Sequence, residues 1–118
     1  MNSRLRTTMW VITVYLAVIG ALFAFAPGTA RSVFSIELSD EALTLLYGQV
    51  VLSVAFMAYL VATNENLAKM TTGFLVLFGG HVLVFGYQLA TNVQTFAQVG
   101  PPLMLSVVFS VMLFLFRK

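Results

Sequence analysis

Hydrophobic and polar positions alternate along this chain in long blocks, not at single-residue or helical spacing. Four apolar blocks run from Met9 to Ala26, Ala42 to Ala62, Met70 to Ala90 and Val99 to Phe116, together 78 of the 118 residues. A helix of about 20 residues, rising 1.5 Å per residue, crosses a hydrocarbon core of about 30 Å. Each block is long enough to cross once. The pattern predicts an all-α, integral membrane bundle of four transmembrane helices in a single domain, over about 8–26, 40–63, 67–91 and 100–117.

The polar intervals supply the expected breaks. Pro27-Gly28 ends helix 1, since Pro cannot continue a helix and Gly accepts a left-handed turn. Ser39, Asp40 and Glu41 open helix 2 as cap and first-turn acids. Asn64-Glu65-Asn66 is a tight polar turn, and Asn92 follows helix 3. Pro101-Pro102 stands near the start of helix 4, where Pro costs least, and Thr91–Gln98 reads as an uncharged interfacial loop. The longest connection, Pro27–Glu41, contains an apolar stretch, Val33 to Ile36, suited to the headgroup region or to folding against the bundle.

The first block also has signal-peptide features: Arg4 and Arg6 before it, and Ala24-Phe25-Ala26 at its end. Its apolar stretch exceeds the usual 7–15 residues, and Pro27 would follow the cut. A retained helix is expected.

Composition agrees. Only 8% of residues are charged and 60% are apolar, against about 25% charged in soluble domains. This excludes a soluble enzyme and a free nucleic-acid binder. There is no Cys, hence no disulfide, thiolate nucleophile or Cys-ligated metal. If all four helices cross, Arg4, Arg6, Lys69, Arg117 and Lys118 share one side and Arg31 falls on the other. The positive-inside rule then places both termini in the cytoplasm. Trp10 and Tyr59 fall near the inner interface, Tyr87 nearer the outer one.

Burial alone does not join helices in lipid; small residues that permit close approach do. Gly20 with Ala17, Ala21 and Ala24 marks a packing stripe on helix 1. Gly48 with Ala55, Ala58 and Ala62 marks one on helix 2. Helix 3 carries Gly73, Gly79, Gly80 and Gly86 on neighbouring stripes. The remaining arc of Leu75, Phe78, Val82, Phe85 and Leu89 reads as its lipid face. Contacts on two or three sides suit a central place in the bundle or another subunit.

Chemistry-bearing groups are few. Gln49, His81 and Ser110 stand about 14 Å deep by residue count, so a polar layer is geometrically possible, with Gln88 further along helix 3. His81 has three readings: a structural histidine bonded across helices, a pore-lining group, or an axial ligand to a haem- or chlorophyll-type macrocycle beside Gly79 and Gly80. No acid lies at its depth for a Ser-His-acid arrangement, one His is a poor metal site, and no carboxylate lies in a span for a proton-coupled pump. No catalytic residue and no metal are expected, and the macrocycle is the one cofactor left open.

Leu22-Phe23 before Pro27, Phe34 in the outer loop, Leu46-Tyr47-Gly48 opening helix 2 and a final helix ending in basic residues together resemble small bacterial four-helix inner-membrane proteins of the DoxX-like tetraspan type. The chain departs from them at Gln49, where a second Gly is common, and at His81, where an arginine slightly further on is typical. The resemblance implies a four-helix bundle and a membrane address but no established activity, since such families are largely uncharacterised or act as accessory subunits. The expected function is a non-catalytic subunit partnered by the lipid bilayer, by itself or by other membrane subunits, and not by nucleic acid. The alternatives are a small oligomeric transporter or pore built on the polar layer, a pigment-binding subunit and a small lytic pore former.

Overall fold

The computed structural model describes residues 2–34, 41–91 and 96–116, the side chains of 31, 33, 34, 41–43 and 96–99 apart. Nearly all of these residues are helical, and there is no strand among them. The elements are α1 (Ser3–Phe25), α2 (Pro27–Phe34), α3 (Glu41–Thr63), a 3-10 helix (Glu65–Met70), α4 (Thr71–Ala90) and α5 (Phe96–Phe116). Ser3–Phe25, Thr44–Thr63 and Glu65–Ala90 are long and apolar enough to cross a membrane, and Gly100–Phe116 is a shorter apolar helix.

The helix ends follow local chemistry. α1 begins five residues before the expected position 8 because the Asn2 side chain caps it, accepting from the Leu5 backbone N–H at 2.8 Å. Apolar periodicity marks where a helix enters hydrocarbon, and α1 continues past that point through Arg6 and Arg4. At the other end, the residue before a proline is pushed out of helical conformation. Ala26 accordingly sits at φ −138°, ψ 60° and closes α1 at Phe25.

The outer connection differs from expectation. Pro27 and Gly28 do not form a left-handed turn; they start α2. Pro is well placed at a first helical position, where no N–H is needed, and Ala30 donates back to the Ala26 carbonyl at 3.0 Å. α2 touches α1, α3 and α5, with Ala30 buried. Ser39 and Asp40 lie outside the described residues, and Glu41 is the first residue of α3.

The turn between α3 and α4 opens with Asn64, whose side chain accepts from the Asn66 N–H at 3.0 Å. The chain then winds as a 3-10 helix before α4 begins at Thr71, not at 67. α4 closes at Ala90, where the Thr91 hydroxyl donates to the Tyr87 carbonyl at 2.8 Å; Asn92 lies outside the described residues. α5 starts at Phe96, four residues before the expected 100. Pro101 and Pro102 therefore lie inside the helix and not at its start. Without N–H groups they cannot bond the carbonyls of Ala97 and Gln98.

α1 packs most extensively against α3, α4 packs against α5, and the two pairs meet mainly where α1 touches α5. Tyr15 and Phe109 mark that seam, with ring centroids 5.3 Å apart. The core is concentrated at one end, where Met9, Ile12, Val61, Phe78 and Leu113 are wholly or almost wholly buried. The N-termini of α1 and α4 and the C-termini of α3 and α5 converge there; Arg4, Arg6 and Lys69 make it the basic end. Thr8 is fully buried in this core yet satisfied, because its hydroxyl donates to the Arg4 carbonyl at 2.8 Å. Towards the other end α1 and α3 stay together, whereas α4 has no buried residue from Gly79 to Ala90. The molecule measures 41 × 30 × 17 Å, a flattened array more than a square bundle.

Candidate functional site

Among the described residues the polar candidates Gln49, His81, Gln88 and Ser110 are not joined to one another by hydrogen bonds. Gln49 is exposed on α3, and its amide donates to the Ser53 hydroxyl at 3.2 Å. Ser53 in turn donates to the Gln49 carbonyl at 3.1 Å. The cause is the residue before it. Gly48 faces α1, and successive helical positions turn by about 100°, so Gln49 points off the contact. Equal depth therefore does not assemble a Gln49–His81–Ser110 layer. No hydrogen bond among the described residues joins Gln49 to His81 or Ser110.

His81 is half-buried on α4, beside two phenylalanines of its own helix. Phe78 meets the imidazole edge-on, with centroids 6.0 Å apart, and Phe85 lies tilted at 5.5 Å. It has two aromatic neighbours, and among the described residues no hydrogen bond joins it to the amide and hydroxyl that depth alone had paired with it. The Ser110 Oγ and the Gln88 Oε1 are buried without a hydrogen-bond partner among the described residues. Among the described residues no group of three His, Cys, Asp or Glu could hold a metal ion.

The glycines divide into two classes. A Cβ on Gly20 would lie 2.8 Å from the Leu52 Cγ and 2.9 Å from its backbone nitrogen. A Cβ on Gly48 would strike the backbone of Ala24 and Phe23. Here glycine is required for close approach of α1 and α3, supported by the buried Ala55, Ala58 and Ala62. Around Gly73, Gly79, Gly80 and Gly86, by contrast, no described atom outside the helix's own nearby backbone stands within 4 Å of an added Cβ. Of the two placements the sequence leaves open for helix 3, a central place in the bundle or contact with another subunit, no close approach of the first kind is seen at these four among the described residues.

The faces of α4 are also turned from expectation. Phe78, read from sequence as lipid-facing, is 0% exposed and packs on Phe109 with centroids 5.1 Å apart. Val76, Leu83 and Tyr87 are instead 70%, 76% and 68% exposed. In an all-apolar helix hydrophobicity does not distinguish core from periphery; here the large aromatic ring fills the core and the glycine–Tyr87 stripe faces out.

The basic end holds side-chain contacts that the sequence did not reveal. Arg6 pairs with Glu65 at 2.7 Å, with both groups exposed. The Arg4 guanidinium sits 5.8 Å from the centroid of the Phe116 ring. The Asn2 amide donates to the Phe116 carbonyl at 2.7 Å. Trp10 and Tyr59 meet edge to face at 5.6 Å, and Phe56 stacks on Tyr59 at 6.2 Å. Their shared depth was legible; their pairing across α1 and α3 was not, because nothing in one sequence sets the rotation of one helix against another. No family model, curated protein or solved structure matches the chain.

Proposed function

We propose that this chain is a non-catalytic integral membrane protein of the DoxX-like tetraspan type, an accessory subunit that associates with itself or with a larger membrane complex through the outward face of α4. In this reading α1, α3, α4 and α5 all cross a bacterial inner membrane, and both termini are cytoplasmic. The observation that carries it is the contrast between glycines. Gly20 and Gly48 serve a close helix contact within the chain, while Gly73, Gly79, Gly80 and Gly86 leave open surface on a helix with little else buried. Small residues on an apolar helix are what lipid-embedded helices use to approach one another. The test is the size of the particle in mild detergent, by light scattering and cross-linking in native membranes. A discrete oligomer or a co-purifying membrane complex supports the reading; a monomer with no partner rejects it.

A second reading, a flat macrocycle ligated by His81, is favoured by one observation: the positions beside the imidazole at Gly79 and Gly80 are open. A visible absorption spectrum of protein taken from native membranes tests it, and a colourless preparation rejects it.

A further inference from the structure

The ends of the molecule differ in charge. Among the described residues, the end at which α1 begins carries the bases Arg4, Arg6 and Lys69 against one acid, Glu65, and two further bases, Arg117 and Lys118, follow α5 in the sequence. The sequence between α2 and α3 instead holds the acids Glu37 and Asp40, with Arg31 in α2 and Glu41 opening α3. At the basic end Glu65 is engaged with Arg6 at 2.7 Å. Arg4 has no carboxylate partner among the described residues, and its guanidinium is held 5.8 Å from the centroid of the Phe116 ring. Lys69 is exposed on the 3-10 helix, also without an acid.

An aromatic belt lies just inward of these charges. Trp10 follows Arg6 by one helical turn, about 6 Å along the axis. It pairs with Tyr59, and both are exposed. A charged rim with Trp and Tyr one turn deeper matches the layering of a membrane interface: phosphates outside, amphipathic rings at headgroup level. The Arg4 guanidinium lies within cation–π range of the Phe116 ring, and its planar fork of donors suits a pair of phosphate oxygens.

We propose that the basic end binds the headgroup phosphates of anionic phospholipids, with Arg4 and Lys69 as the contacting cations and the Trp10–Tyr59 pair seated against the glycerol region. This rests on the membrane-spanning reading above. Electrostatic attraction to an anionic leaflet amounts to about a fivefold gain in affinity for each Lys or Arg near the surface.

The experiment uses the full chain in nanodiscs or mixed micelles containing phosphatidylglycerol and phosphatidylcholine in equal amounts. The lipid retained on the purified protein is measured by native mass spectrometry. Wild type is expected to retain phosphatidylglycerol preferentially. R4Q/K69Q is expected to lose that preference by about 25-fold, as two fivefold steps imply, while R31Q keeps it. Thermal melting in neutral detergent confirms that the variants are folded, and 0.5 M salt is expected to erase the preference in wild type. Equal retention of the two lipids by wild type, or an unchanged preference in folded R4Q/K69Q, overturns this proposal alone. Retention of neither lipid overturns it together with the membrane reading.

Discussion

Gly48 of α3 lies backbone to backbone against Ala24 of α1: a Cβ built on Gly48 would stand 2.8 Å from the Ala24 Cα, and as close to the Phe23 carbonyl carbon. Real Cβ atoms do not approach so near, and backbone cannot move aside as the tip of a side chain can. Gly48→Ala is therefore expected to push α1 and α3 apart at this end, at the roughly 1–3 kcal/mol typical of overpacking. Thermal melting in mild detergent reads this as a clear fall in Tm. Gly73→Ala, where no neighbour intervenes, is expected to leave Tm unchanged or slightly raised.

The open glycines of α4 give the opposite pattern. A Cβ added at Gly79 or Gly86 meets no described atom outside the helix's own nearby backbone, so Gly79→Ala and Gly86→Ala are each expected to keep the monomer's melting temperature. The same changes block close approach by another helix. Light scattering and cross-linking should show the oligomer or complex lost or reduced at least several-fold. An oligomer that persists in both variants would place its interface elsewhere.

Gln49 and His81 share a depth but not a contact. A double-mutant cycle with Gln49→Ala and His81→Ala, read by chemical unfolding in detergent, is expected to be additive within about 0.5 kcal/mol, as for separated sites. A coupling above 1 kcal/mol would restore the polar layer that counting alone suggested.

The buried Ser110 hydroxyl has no hydrogen-bond partner among the described residues. An unpaired buried polar group costs free energy that its removal returns. Ser110→Ala is thus expected to be neutral or to stabilise by up to about 1 kcal/mol, in the same unfolding assay. A marked loss would reveal a partner for the hydroxyl in the assembled protein.

Arg6 and Glu65 form a close but exposed pair. Such pairs contribute about 0–1 kcal/mol and weaken with salt. Arg6→Gln and Glu65→Gln should each shift stability by less than about 1 kcal/mol at low ionic strength, and by less again in 0.5 M salt.

Much of the architecture was legible because block length and helix punctuation are local. Asn64 in its turn, Pro27 after α1 and the close contact at Gly20 and Gly48 all followed from residue type and spacing. Helix ends were harder. α1 runs outward past its apolar stretch to an Asn2 cap, and α5 begins ahead of two prolines that read as a start signal. Helix rotation was not legible at all. Phe78 and Leu83 are equally apolar, yet one is fully buried and the other is among the most exposed residues. The polar candidates failed to meet for the same reason. Depth is a count along one helix, while contact needs two helices to face each other, and for α3 that facing is set by Gly48.

The pairing of α1 with α3 also has a consequence in time. Its closest contacts, Gly20 with Leu52 and Gly48 with Ala24, fall wholly within the first half of the chain. A ribosome delivers that half first, so the tightest seam can zip shut while α4 and α5 are still being translated. In that order the α4–α5 hairpin would dock afterwards, through the Tyr15–Phe109 contact and the core below it. Severing the chain in the turn opened by Asn64 and expressing the two pieces together would ask the membrane to repeat that order of assembly.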